Sequence, residues 1–115
     1  MSKDNFEYSL SDTDVQAILT AFPLILLADA GSDTQNRLNA SCCESAGAKL
    51  VRGAQDFTLN ELRVIYGAVA LAKEYLTGGW DLDVSAKDKA ELKKYLFTYI
   101  KLEKALGQAF ESFHI

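Results

Sequence analysis

Cys42 and Cys43, adjacent in the chain, are the side chains of this sequence best suited to chemistry. They could serve as a redox pair, as metal ligands or as a nucleophile, and each use makes demands on the surrounding residues. A disulfide between sequence neighbours closes a strained ring far from preferred geometry. A thioredoxin-like pair is spaced Cys-x-x-Cys, which these are not. Structural zinc takes four ligands, and the sole histidine is His114. A reactive thiolate needs a cation or a helix N-terminus beside it. The nearest base on the same helical side is Lys49, nearly two turns on. The residues from Asn39 to Lys49 have little bulk, so close helix packing is the better account of the pair. Small residues let a neighbouring axis approach to the short end of the usual ~8–10 Å range.

The remaining candidates fail on spacing. A Ser-His-Asp constellation would depend on His114. Glu111 and His114 make a single Glu-x-x-His, whereas a di-metal bundle needs two. Asp81, Asp83 and Ser85 look like the start of a calcium loop. However, Ala86, Lys89 and Leu92 stand where it needs glycine, a ligand and glutamate. Asp83 and Ser85 are instead read as helix caps. Gly78-Gly79 follows no strand and forms no phosphate loop. No metal and no cofactor are assigned, and a non-enzymatic role is expected.

The elements that must position these residues are helices. Ser11 with Asp14 is spaced as an N-cap and an acid three residues on. Val15, Ile18, Leu19, Phe22, Ile25 and Leu26 then recur at helical spacing. Pro23 lies inside that run, so the first helix is expected to bend or break there, with Gly31 as a left-handed cap. A second helix is expected from Asp33 to about Gly53. Its inward face carries Leu38, Cys42, Cys43, Ala46 and Leu50, with Asn39 among them. A third starts at Thr58 with Glu61 as a capping box. Leu62, Ile65, Val69 and Ala72 lie on one side, and Val64, Ala68, Leu71 and Tyr75 on the other. Such a helix is either the centre of the bundle or shared with another subunit. A fourth, longer than 25 residues, is expected from Ser85 onward, with a stripe including Leu92, Tyr95, Tyr99, Leu102 and Leu106. Residues 8–12 and 57–61 echo each other weakly, which would suit two helical hairpins. The expected fold is therefore all-α: a compact bundle of four main helices in one domain over 1–115, with 1–10 as an N-terminal arm.

The bulk properties agree with this and narrow the function. Of 115 residues, 49% are hydrophobic and one is proline, which suits a helical globular domain with its own core. The net charge of −4 argues against binding nucleic acid through phosphate neutralisation. Residues 1–56 carry eight acids and four bases, and 57–115 carry eight of each. The acids are too scattered to imitate a nucleic acid. The first residues are polar and lead into no apolar run of the kind a secretory signal contains. The apolar stretch from Ala21 to Ala28 is too short to span a bilayer. A cytoplasmic location without membrane contact is expected.

The expected role is binding another protein, as regulator, adaptor or stoichiometric inhibitor, with the chain itself a homodimer. The side chains expected at the interface are Val64, Leu71, Tyr75, Trp80 and Phe97, tryptophan being the residue most enriched at binding hot spots. The alternative is a bundle holding a nucleotide or other anionic metabolite. Its pocket would lie beside the thin face of the second helix, lined by Asn39, Cys42, Cys43, Tyr66 and Tyr99, with Lys94 and Lys101 meeting the anion. Closely packed helices would leave no room for it, whereas ordinary spacing would leave a cavity.

Overall fold

The computed structural model describes residues 10–28, 31–54, 56–79 and 82–113, with side chains to 108. Its elements are α1 (Asp12–Leu27), α2 (Asp33–Val51), α3 (Leu59–Leu76), α4 (Ala86–Lys93) and α5 (Leu96–Phe113). There is no strand among the described residues. The radius of gyration, 13.6 Å, is close to the ~13 Å expected of a compact chain this long. The N-terminal arm, Trp80, Asp81 and His114 fall largely or wholly outside the described residues.

The helix starts follow local chemistry. Ser11 Oγ accepts the N–H of Asp14 at 3.1 Å, and Asp14 Oδ2 accepts the N–H of Ser11 at 3.0 Å. Thr58 and Glu61 repeat this reciprocal pair at the start of α3, at 3.1 and 2.8 Å. Each such cap satisfies two backbone donors that a helix end leaves open. Ser32 and Ser85 cap α2 and α4 through single bonds to Gln35 and Asp88. The ends of α2 and α3 also match each other. Gly53 and Gly78 have φ of +75° and +88°, which L side chains resist. Behind them the amides of Ala54 and Gly79 reach back to the carbonyls of Lys49 and Glu74, at 3.0 and 2.7 Å. That six-to-one bond is the Schellman stop. Gly31 lies in the connection to α2, because the cap of α1 is Ala28.

Two expectations about helix continuity, a break at Pro23 and a single long fourth helix, need correcting. One helix, α1, spans Asp12–Leu27 through Pro23 and does not end at Phe22. Pro23 itself is exposed. The long fourth helix is instead two. The amides of Lys94 and Tyr95 bond to Glu91 and Leu92, three residues back, at 3.3 and 3.0 Å. Two successive tight bonds of this kind turn the chain between α4 and α5. Packing accounts for the break. α4 buries one side chain, Leu92, and sits against α1 and α3, whereas α5 buries Tyr99, Leu102 and Leu106 mainly along α3. A single straight rod could not meet both demands.

The two-sided third helix is the centre of the bundle: α3 touches all four of the others. Leu62, Ile65, Val69 and Ala72 are buried on one side, and Val64, Ala68 and Tyr75 on the other. Ala17, Ile18, Ala21 and Phe22 of α1 complete much of the core, with Cys43, Ala46 and Leu50 from α2. Full burial of one large aliphatic side chain contributes about 1.5–3 kcal/mol. Tyr99, wholly buried, donates its hydroxyl to the carbonyl of Ala17 at 2.8 Å and so pins α5 to α1. Burial and the neighbouring Tyr95 push its pKa up, keeping it a phenol.

Both capping acids are buried, and each faces a lysine from another helix. Glu61, 3% exposed, accepts from Lys49 Nζ at 2.7 Å, and the same ammonium donates to the carbonyl of Asp56 at 2.8 Å. Burial alone would raise the pKa of Glu61. The hydrogen bonds from Lys49 and Thr58 outweigh burial and take the pKa from 4.5 to about 2. Asp14, 1% exposed, has Lys101 Nζ at 3.2 Å from Oδ1. That contact is an ion pair only, since Oδ1 receives no well-directed hydrogen bond.

Candidate functional site

Among the described residues, the helix boundaries explain two concavities in the surface of the bundle. The larger lies between the second half of α1 and the segment from Asp83 through α4, with a volume of about 660 Å³. The run from Leu24 to Leu27 is apolar all the way round, so α1 cannot bury all of it against one core. Leu24 turns inward, while Leu26 and Leu27 stay 61% and 51% exposed. Leu92 and Leu24 form the floor, with Pro23 and Val84 beside them. Asp83, Asp88 and Glu91 stand among the lining residues, and no lysine or arginine is found among the described residues of that lining. Glu91 is partly neutralised by Lys94 at 2.9 Å, leaving Asp83 and Asp88 to set the charge of the rim.

The smaller concavity, about 290 Å³, opens where α2 leaves the bundle. Cys43, Ala46 and Leu50 hold the C-terminal part of α2 against the core. Gly47 passes Leu19 and Phe22 there, with room for no more than an ordinary methyl contact at 3.7 and 3.8 Å. Toward its N-terminus α2 diverges: Leu38 is 44% exposed and Cys42 half-buried. The gap is lined by Gln35, Leu38, Asn39 and Cys42 of α2 and by Asn60, Arg63 and Val64 of α3. The thin face therefore packs on the core through its C-terminal part and borders a cavity at its other end.

Comparison of the chain with protein-family models, with curated proteins and with solved structures gives no match.

Of the side chains expected to line a ligand pocket, Asn39 and Cys42 do share one. Asn39 Oδ1 accepts from Gln35 Nε2 at 2.9 Å. The others are elsewhere. Cys43 is buried in the core, where burial and the adjacent Cys42 push its thiol up to about 11. Tyr99 is committed to Ala17, and Tyr66 packs near Gly107 on α5. Lys94 pairs with Glu91, and Lys101 with Asp14. Both cysteines are free thiols.

Of the side chains expected at an interface, Val64 and Tyr75 are 6% and 8% exposed, and Leu71 packs half-buried on the core. Lys89 sits over the ring of Tyr75, 5.5 Å from its centre. Phe97 is the one left open to solvent, 87% exposed, with Ile100 at 45% one turn along α5. Trp80 lies outside the described residues.

The acid-rimmed groove was missed from sequence, although the all-round apolar run at Leu24 to Leu27 was a usable signal. Among the described residues no helix is long and apolar enough to cross a membrane. No group of three or more histidine, cysteine or acidic side chains among them is placed to hold a metal.

Proposed function

We propose that this chain is a non-enzymatic protein-binding module whose docking surface is the groove between α1 and α4. The observation that carries this reading is a pair of half-open leucines, Leu26 and Leu27, over an apolar floor with an acidic rim. An apolar groove of this kind takes the apolar face of an amphipathic helix, whose side chains at i, i+3, i+4 and i+7 supply the anchors. Asp83 and Asp88 select the flanks of that helix, which are basic. In this reading a bend at Pro23 turns the end of α1 outward and sets the width of the groove. Pairing of two copies falls to Phe97 and Ile100, because Val64, Ala68 and Tyr75 on the second side of α3 are buried within the bundle. A standard interface needs ~800 Å² per partner, so that pair would be its centre rather than its whole.

A labelled helical peptide of leucine and lysine, one face of each, tests the groove against the same peptide with glutamate for lysine. The expected result is saturable binding of the lysine peptide, weaker at moderate salt, and no binding of the glutamate peptide. Leu27→Ser should weaken binding at least fivefold without loss of fold. Equal binding of both peptides, or an unchanged affinity in Leu27→Ser, would overturn the assignment.

A further inference from the structure

Among the described residues that line the smaller pocket, Arg63 is the one cation and there is no carboxylate. No ion pair joins Arg63 to an acid among the described residues. Three side-chain amides, from Gln35, Asn39 and Asn60, share the lining. The oxygen of Asn39 already accepts one hydrogen bond from Gln35, and its side-chain N–H groups are donors toward the pocket. Gln35 and Asn60 lie in the first turns of α2 and α3, where helix ends also favour negative charge. Leu38, Val64 and Ile25 supply an apolar wall.

We infer that this pocket binds a small monocarboxylate with a compact apolar body. The planar guanidinium of Arg63 takes the carboxylate, two N–H groups to two oxygens, as arginine does where flat anions are recognised. Asn39 and Asn60 add donors, and the body of the ligand lies on Leu38 and Val64. Size and charge both limit the ligand. The pocket is at the bottom of the ~300–1,000 Å³ range of ligand clefts, so a nucleotide is too large. A nucleotide would also set two or more phosphate charges against one cation, since Lys94 and Lys101 are committed elsewhere. The site is distinct from the α1–α4 groove, and neither assignment depends on the other.

The test uses the full chain, with benzoate as probe and benzamide as its uncharged match. Side-chain NMR signals of Arg63 Nε and the amides of Asn39 and Asn60 are followed during titration. Cys42, which lines the same pocket, supplies a second readout through its rate of alkylation by iodoacetamide. The expected result is saturable shifts at all three residues with benzoate and affinity at least tenfold lower for benzamide. Arg63→Gln, at an exposed position, should cost at least tenfold in benzoate affinity and leave the backbone spectrum otherwise unchanged. Alkylation of Cys42 should slow severalfold at saturating benzoate. Absence of saturable shifts, equal response to benzamide, unaltered binding in Arg63→Gln, or unchanged Cys42 alkylation would each overturn the inference.

Discussion

Replacing Glu61 by glutamine keeps the shape of the cap at the start of α3 and removes its charge. The magnitude follows from the surroundings of the carboxylate. Glu61 is 3% exposed and accepts both the Thr58 amide at 2.8 Å and the Lys49 ammonium at 2.7 Å. These bonds outweigh burial and lower its pKa from 4.5 to about 2. A group whose pKa is depressed on folding stabilises the fold above its unfolded value, and the gain is lost as pH falls through the folded value. At ~1.4 kcal/mol per pKa unit, the carboxylate contributes on the order of 3 kcal/mol at pH 7 and roughly 1.5 kcal/mol at pH 3. Urea unfolding followed by circular dichroism, at pH 7, 5, 4 and 3, measures both chains. The other acids titrate alike in both and cancel in the difference. Glu61→Gln should therefore be less stable at pH 7, with its deficit shrinking by about 2 kcal/mol on going to pH 3. Lys49→Met should show a loss of the same pH dependence, since it removes the partner. A deficit that is the same at pH 7 and pH 3 would refute the reasoning, because the contribution would then be steric and not ionic.

Other outcomes follow from single side chains. In the native protein one thiol, Cys42, should react readily with a thiol reagent at pH 8, and Cys43 only after denaturation, as counted by released chromophore; its burial and its thiol pKa near 11 disfavour the thiolate. Tyr99→Phe should cost about 1 kcal/mol by urea titration, the worth of a buried neutral hydrogen bond; a neutral result would mean Ala17 loses nothing. Gly47→Ala should stabilise by roughly 0.5–1 kcal/mol, because a helix interior favours alanine. The added methyl meets Leu19 and Phe22 at ordinary contact distances, and a destabilised variant would show that α2 lies closer than described. Phe97→Ser should leave thermal stability of the protomer unchanged while lowering any self-association seen by sedimentation, since its ring is 87% exposed.

The helix starts were legible in the sequence because capping is local. Ser11 with Asp14, Thr58 with Glu61, and Ser85 are all found where the spacing places them. The all-helical class was legible for the same reason: apolar residues recur with a helical period. The division of the last helix was not. Leu92, Tyr95, Leu96 and Tyr99 keep a helical period across the break, so nothing local marks it. It exists because Leu92 answers to α1 and α3, while Tyr99 answers to Ala17. The role of α3 was open for a related reason. An apolar second flank looks the same in sequence whether it meets another helix of this chain or another chain. The smaller pocket was half legible. Asn39 and Cys42 could be placed on one face by periodicity, whereas Asn60 and Arg63 join them only through the crossing of α2 over α3.

The position of α3 also bears on how the chain is made. α1 finds its most extensive contact in α3, and α2 likewise meets α3 more than it meets α1. Both leave the ribosome before that shared partner has been synthesised. Until residue 76 has emerged, the nascent chain carries Ile18, Phe22 and Leu50 with no hub to receive them, a period in which exposed apolar surface invites aggregation.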